Sequence, residues 1–241
     1  MKVIENIVEC ISKIIDVSNE LGVKFYVYGG FVQDIMEGKL LRDHSDINIF
    51  MENMDNSIEF ILKYLNDNGL EADYTKHWGF ISVGKYYTHL KKDYVRIYIS
   101  SIEFNQKNAI WKYYGKKGFM CFPKNWLDKK YRMFYNLKIL TSGIKFEYCY
   151  RILYKYTKDM FYPKDKVEKH ILALNYYEQK LREKNINPFE IFSNIWSYNP
   201  HYFDEWHKDF SPPVLVLGKD VLKNNHRSSS FMKEFVEKNK K

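Results

Sequence analysis

The chain has 241 residues, 45% apolar and 18% aromatic, with only 11 Gly and 6 Pro, a composition that excludes fibres and disordered chains and can fill a sizeable core. Its length favours one large α/β domain, or a core domain followed by a smaller helical one. The formal net charge of +8 would suit a polyanionic partner, but lysine far outnumbers arginine in a chain also heavy in Asn, Tyr and Ile. The surplus therefore reads as composition rather than as a nucleic-acid footprint.

In chain order, Ile4, Ile7, Val8, Ile11, Ile14 and Ile15 recur at three- and four-residue spacing and predict an amphipathic helix ended by Gly22. Lys24 to Tyr28 predicts a short strand, broken by Gly29-Gly30 before a helical turn or two closed by Gly38. A second strand is predicted from Asp46 to Met51. Residues 55–68 predict another helix, with Ile58, Ile61, Leu62 and Leu65 inward and Gly69 as its stop. The pattern then changes to period two, and residues 79–84, 93–100, 109–115 and 118–122 predict strands of a mixed sheet. From about Glu147 the chain reads as helical, with candidate helices at 149–158, 164–184 and 188–196.

Cys10, Cys121 and Cys149 are odd in number and far apart, which points away from a disulfide framework or a zinc site and towards a reducing, cytoplasmic home. Glu5, Glu9 and Lys13 interrupt the apolar N-terminus, so it does not read as a signal peptide, and no run of about 18 apolar residues occurs to span a membrane.

One stretch carries the chemistry: FYVYGGFVQDIMEGKLLRDHSDINIFM, residues 25–51. Gly29 and Gly30 end a strand without side chains, so a ligand can approach the backbone where the next helix begins, an arrangement suited to phosphate. Asp46 and Asn48 lie two apart on a strand and so leave the same face, as two oxygen ligands for a hard cation such as magnesium would. Arg42 and His44 add donors for phosphate oxygens.

With Gly29-Gly30, Asp34, Gly38, Arg42, His44, Asp46, Ile47 and Asn48 in this order, the chain resembles the nucleotidyltransferase superfamily. Within it, the likeness is to the small-molecule branch of lincosamide and aminoglycoside nucleotidyltransferases. Two weaker echoes are PKDKV at 163–167, where Lys164 would face the nucleotide, and FPKNWLD at 122–128. The resemblance implies an α/β (α+β) fold: a nucleotidyltransferase-type mixed β-sheet flanked by helices in residues 1–145, then a smaller helical domain in 146–241 with a Lys-rich tail. It also implies that magnesium ions held by carboxylates align an acceptor hydroxyl for in-line attack on the α-phosphate of a nucleoside triphosphate, on a small-molecule, sugar or macromolecular acceptor.

Two positions depart from the family pattern. Asn48 replaces an aspartate, and strand alternation puts Arg96, with Tyr94 and Tyr98, where a third carboxylate is expected. A guanidinium there repels a metal and suits a phosphate. The site expectation is therefore Asp46, Asn48 and Arg96 at the reaction centre, Gly29, Gly30, Arg42, His44 and Lys164 on the nucleotide, and Asp46 with Asn48 on magnesium. A second reading is a non-catalytic nucleotide- or phosphate-binding module that holds an anion with Arg96. A third is a phosphotransferase acting on a surface polysaccharide.

Overall fold

The computed structural model describes residues 2–44, 46–76, 79–84, 96–113, 118–151, 167–188, 191 and 214–217. The first helix, α1 (Lys2–Leu21), buries Ile7, Cys10, Ile11, Ile14 and Val17 and ends at Gly22, whose φ of 63° only glycine adopts freely. Strand β1 (Phe25–Tyr28) is buried at all four positions, then a 3₁₀ turn over Gly29–Phe31 leads into α2 (Val32–Glu37), capped by left-handed Gly38. Strand β2 (Asp46–Glu52) follows, then α3 (Ile58–Asp67), which packs beside α1 and buries Ile61 and Leu65.

The remaining strands are β3 (Glu71–Thr75), β4 (Phe80–Gly84), β5 (Arg96–Phe104), β6 (Asn108–Tyr113), β7 (Gly118–Pro123), a hairpin of β8 (Arg132–Phe134) and β9 (Leu137–Ile139), and β10 (Val214–Leu217). A fourth helix, α4, covers residues 143–151, and α5 runs Val167–Glu183. The mixed sheet flanked by helices is thus present, and among the described residues no helix is long and apolar enough to cross a membrane.

The main sheet runs β1-β2-β5-β6-β7-β10, with β4 also pairing β5 and carrying β3. The β2–β5 pair is parallel, while β1 is antiparallel to β2. One face of β2 presents Ile47, Ile49 and Met51, all fully buried. The other presents Asp46 and Asn48 at its start and then Phe50, which is stacked on Tyr28 at 3.8 Å between ring centroids and meets Trp111 and the α4 residue Phe146 edge-on. The aromatic packing stops one residue pair short of the strand end, which leaves the polar pair accessible beside the Gly29-Gly30 turn.

The chain entering α4 is bonded to the outer edge of β1. Val27 donates its N–H to Leu140 O at 2.9 Å and accepts from Ser142 N at 2.9 Å, a short parallel ladder. The expected strand at 118–122 and helix at 55–68 are in place, whereas β3, the β8–β9 hairpin and β10 were not expected from the sequence.

Candidate functional site

The site lies where three strand ends meet: the end of β1, the start of β2 and the start of β5. Tyr28 is opposite Asn48, and Asp46 is opposite Arg96 in the parallel ladder, with Asn48 opposite Tyr98. Residues in register on neighbouring strands share a face, so Asp46, Asn48, Arg96 and Tyr98 form one polar patch, while Ile97 and Ile99 are buried on the other face. The alternation read from the sequence for Arg96 therefore holds. Glu103 has the parity of Ile97 and Ile99 and stays off the patch.

Gly29 and Gly30 are glycine for different reasons. Gly29 has φ 84°, and a Cβ on it would lie 3.4 Å from Asn48 Nδ2. Gly30 has no such backbone demand; a Cβ there would lie 2.6 Å from an Arg42 guanidinium nitrogen and 3.7 Å from His44 Nδ1. Arg42, an exposed residue, thus folds its guanidinium against the bare backbone of the turn, and Asn48 closes the other side. Asn48 also donates from Nδ2 to Asp46 Oδ2 at 3.3 Å.

His44 is buried, and its Nε2 is 3.0 Å from Asp34 Oδ2, which also accepts from the Leu41 N–H at 3.0 Å. The histidine is thus committed on one side to a buried carboxylate and faces Gly30 with the other nitrogen. Asp34 fastens the loop 38–44 to α2 and so sets where Arg42 and His44 stand. Replacing Asp34 by alanine is expected to cost roughly 1–3 kcal/mol, because it strands the Leu41 amide and the buried imidazole. Urea denaturation would measure that loss, and an unchanged midpoint would contradict the assignment.

Sequence reasoning missed Glu147 on α4. It is fully buried, and its Oε1 accepts from Gly29 N at 2.7 Å and from Ser142 Oγ at 2.6 Å, while Oε2 pairs with Arg151 at 3.3 Å. Burial holds this carboxyl above its ordinary range, although Arg151, Ser142 and the Gly29 amide all oppose the rise. The one signal in the sequence was a Glu-Arg pair four residues apart inside an otherwise apolar run. Because the Gly29 N–H is taken by Glu147, the glycine contributes shape to the turn rather than a free donor.

Of the expected site residues, Gly29, Gly30, Arg42, His44, Asp46, Asn48 and Arg96 come together at this end of the sheet; Lys164 lies outside the described residues. Among the described residues no group of three or more His, Cys, Asp or Glu is arranged to hold a metal. Asp46 with the Asn48 amide suits one hard ion already ligated by phosphate oxygens, and the described residues do not supply carboxylates for two.

The family of aminoglycoside-2''-adenylyltransferases matches residues 10–114, a span that begins midway along α1 and contains the glycine turn, Asp46, Asn48 and Arg96. The resemblance read from residues 25–51 is supported by that match. No curated protein matches the chain. Among solved structures, the lincosamide antibiotic adenylyltransferase LnuA with lincomycin bound is similar at 17% identity and a TM-score of 0.49, over 69% of this chain and 95% of that one. A solution structure of the antibiotic-resistance factor ANT(2'')-Ia is similar at 14% identity and a TM-score of 0.48, over 77% of this chain and 95% of that one. A crystal structure of ANT(2'')-Ia with adenylyl-2''-tobramycin is similar at 12% identity and a TM-score of 0.46, over 73% and 96%.

Proposed function

We propose that the protein binds a nucleoside triphosphate at the Gly29-Gly30 turn and transfers its nucleoside monophosphate to a hydroxyl acceptor. The observation that carries the reading is the convergence of Arg42, His44 and Asn48 on bare glycine backbone, with Asp46 beside them at the start of β2. The acceptor oxygen bonds to the α-phosphorus, the bond from that phosphorus to the bridging oxygen breaks, and pyrophosphate leaves with the electron pair. Arg42 and Arg96 offset phosphate charge, and Asp46 is the carboxylate placed to take the acceptor proton. Magnesium carried on the phosphates would meet Asp46 and Asn48 and supply further charge neutralisation.

The second reading, binding without turnover, is favoured by one observation: Arg96 stands directly opposite Asp46. A guanidinium beside the reaction-centre carboxylate repels a cation and offers an anion a charged partner. Titration with ATP, GTP, CTP and UTP, with and without magnesium, followed by chromatography for a nucleotidyl product with lincosamide and aminoglycoside acceptors, separates the two. Transfer that needs magnesium and is lost in Asp46→Ala supports the first reading. Triphosphate binding without magnesium, without product, and abolished by Arg96→Ala supports the second; no triphosphate binding at all rejects both.

A further inference from the structure

We infer that Glu147 is a positioning residue for the ligand-binding turn, a side-chain continuation of the β1 edge ladder that fixes Gly29 from behind. Along that edge Val27 N–H bonds Leu140 O, and Ser142 N–H bonds Val27 O. In a parallel ladder the next rung would run from Gly29 N–H to the Ser142 carbonyl. The chain cannot supply it in strand form, because it turns at Gly143, φ 75°, into α4. Glu147, one helical turn later, reaches back, and its Oε1 takes the Gly29 N–H at 2.7 Å while Ser142 Oγ donates to the same oxygen at 2.6 Å.

The consequence bears on ligand binding. Two consecutive glycines have the widest backbone freedom of any dipeptide, so a turn made of them binds weakly unless something else holds its shape. The acceptor on Glu147 is that restraint, and it lies outside residues 25–51. Arg151, also on α4, pairs with its other oxygen at 3.3 Å. The geometry of the turn is thereby tied to α4.

Removing the carboxylate alone would take the Glu147 ion pair from the buried Arg151 and destabilise the fold for an unrelated reason. The test therefore compares two double variants, both lacking the ion pair: Glu147→Gln/Arg151→Leu, which keeps an oxygen acceptor for Gly29, and Glu147→Leu/Arg151→Leu, which does not. Amide hydrogen exchange over residues 25–32 should be about tenfold faster in the Leu/Leu variant than in the Gln/Leu variant, while exchange in α3 is equal in the two. Equal exchange over 25–32 would overturn the inference. Should either double variant fail to fold, Ser142→Ala, which removes a second donor from the same oxygen, is expected to speed exchange in the same segment, and no change there would also overturn it.

The ligand arm rests on the function proposed above: triphosphate affinity should be about tenfold weaker in Leu/Leu than in Gln/Leu, and equal affinities would refute the link from turn geometry to binding. If the unmodified protein binds no triphosphate, the proposed function fails while the exchange comparison still decides the role of Glu147.

Discussion

Replacing Gly143 by alanine is expected to lower the unfolding free energy by roughly 2–4 kcal/mol, read as a fall in urea midpoint with an unchanged slope. Two costs combine. The residue has φ 75°, which an L side chain rarely adopts, and an added Cβ would lie 2.3 Å from the Trp126 carbonyl oxygen and 3.3 Å from Asp128 Oδ1. The first of these neighbours is backbone in a 3₁₀ turn, Lys124–Trp126, and cannot swing aside. Nor is Asp128 free to yield: it accepts from Thr141 Oγ1 at 2.6 Å and Arg132 Nε at 2.9 Å, and its N–H bonds Thr141 O. Gly22→Ala is the control, with φ 63° but nothing within 4 Å of its Cβ, so it should cost only the conformational part, roughly 1–2 kcal/mol. A Gly143→Ala loss no larger than that of Gly22→Ala would show that the junction between 126–128 and α4 gives way more easily than its bonding suggests.

The position of Gly143 also shows why some of the molecule was legible in the sequence and some was not. Period-two alternation is a local rule, so the common face of Asp46 and Asn48, and the placement of Arg96 opposite Ile97 and Ile99, followed from spacing alone. The helix stops at Gly22, Gly38 and Gly69 were likewise local. Strand β3 escaped because only Ala72 and Tyr74 of its five residues, Glu71 to Thr75, pack partly against the core, an apolar alternation too short to mark it. The β8–β9 hairpin escaped because its turn places Tyr135, rather than a glycine, at φ 52°. Val214–Leu217 did carry a β-branched pattern, but two prolines precede it and its partner β7 is far away in sequence. The Glu147–Gly29 bond spans 118 positions, and the Asp34–His44 pair depends on how a loop closes. Neither periodicity nor a short motif encodes such contacts.

Gly30→Ala is expected to weaken triphosphate binding by roughly 10–100-fold while leaving the urea midpoint nearly unchanged. The stability half of this expectation follows from what the new methyl group would meet. Its nearest neighbour, at 2.6 Å, is the tip of the exposed Arg42 side chain, which can move into solvent at little cost to the fold. The binding half follows from where the guanidinium would go. A charge-assisted hydrogen bond to phosphate contributes about 1.5–3 kcal/mol, or roughly one to two powers of ten in affinity, and that contact is lost when the arginine is pushed off the turn. Isothermal titration with the triphosphate that binds best would read the loss, beside Arg42→Ala and the double variant. If the methyl group acts through Arg42, the two single effects will not add, and the double variant will bind about as weakly as Arg42→Ala alone. Full additivity would mean instead that the ligand packs directly on the Gly30 backbone. Unchanged affinity in all three would remove the glycine turn from the binding site and with it the proposed function.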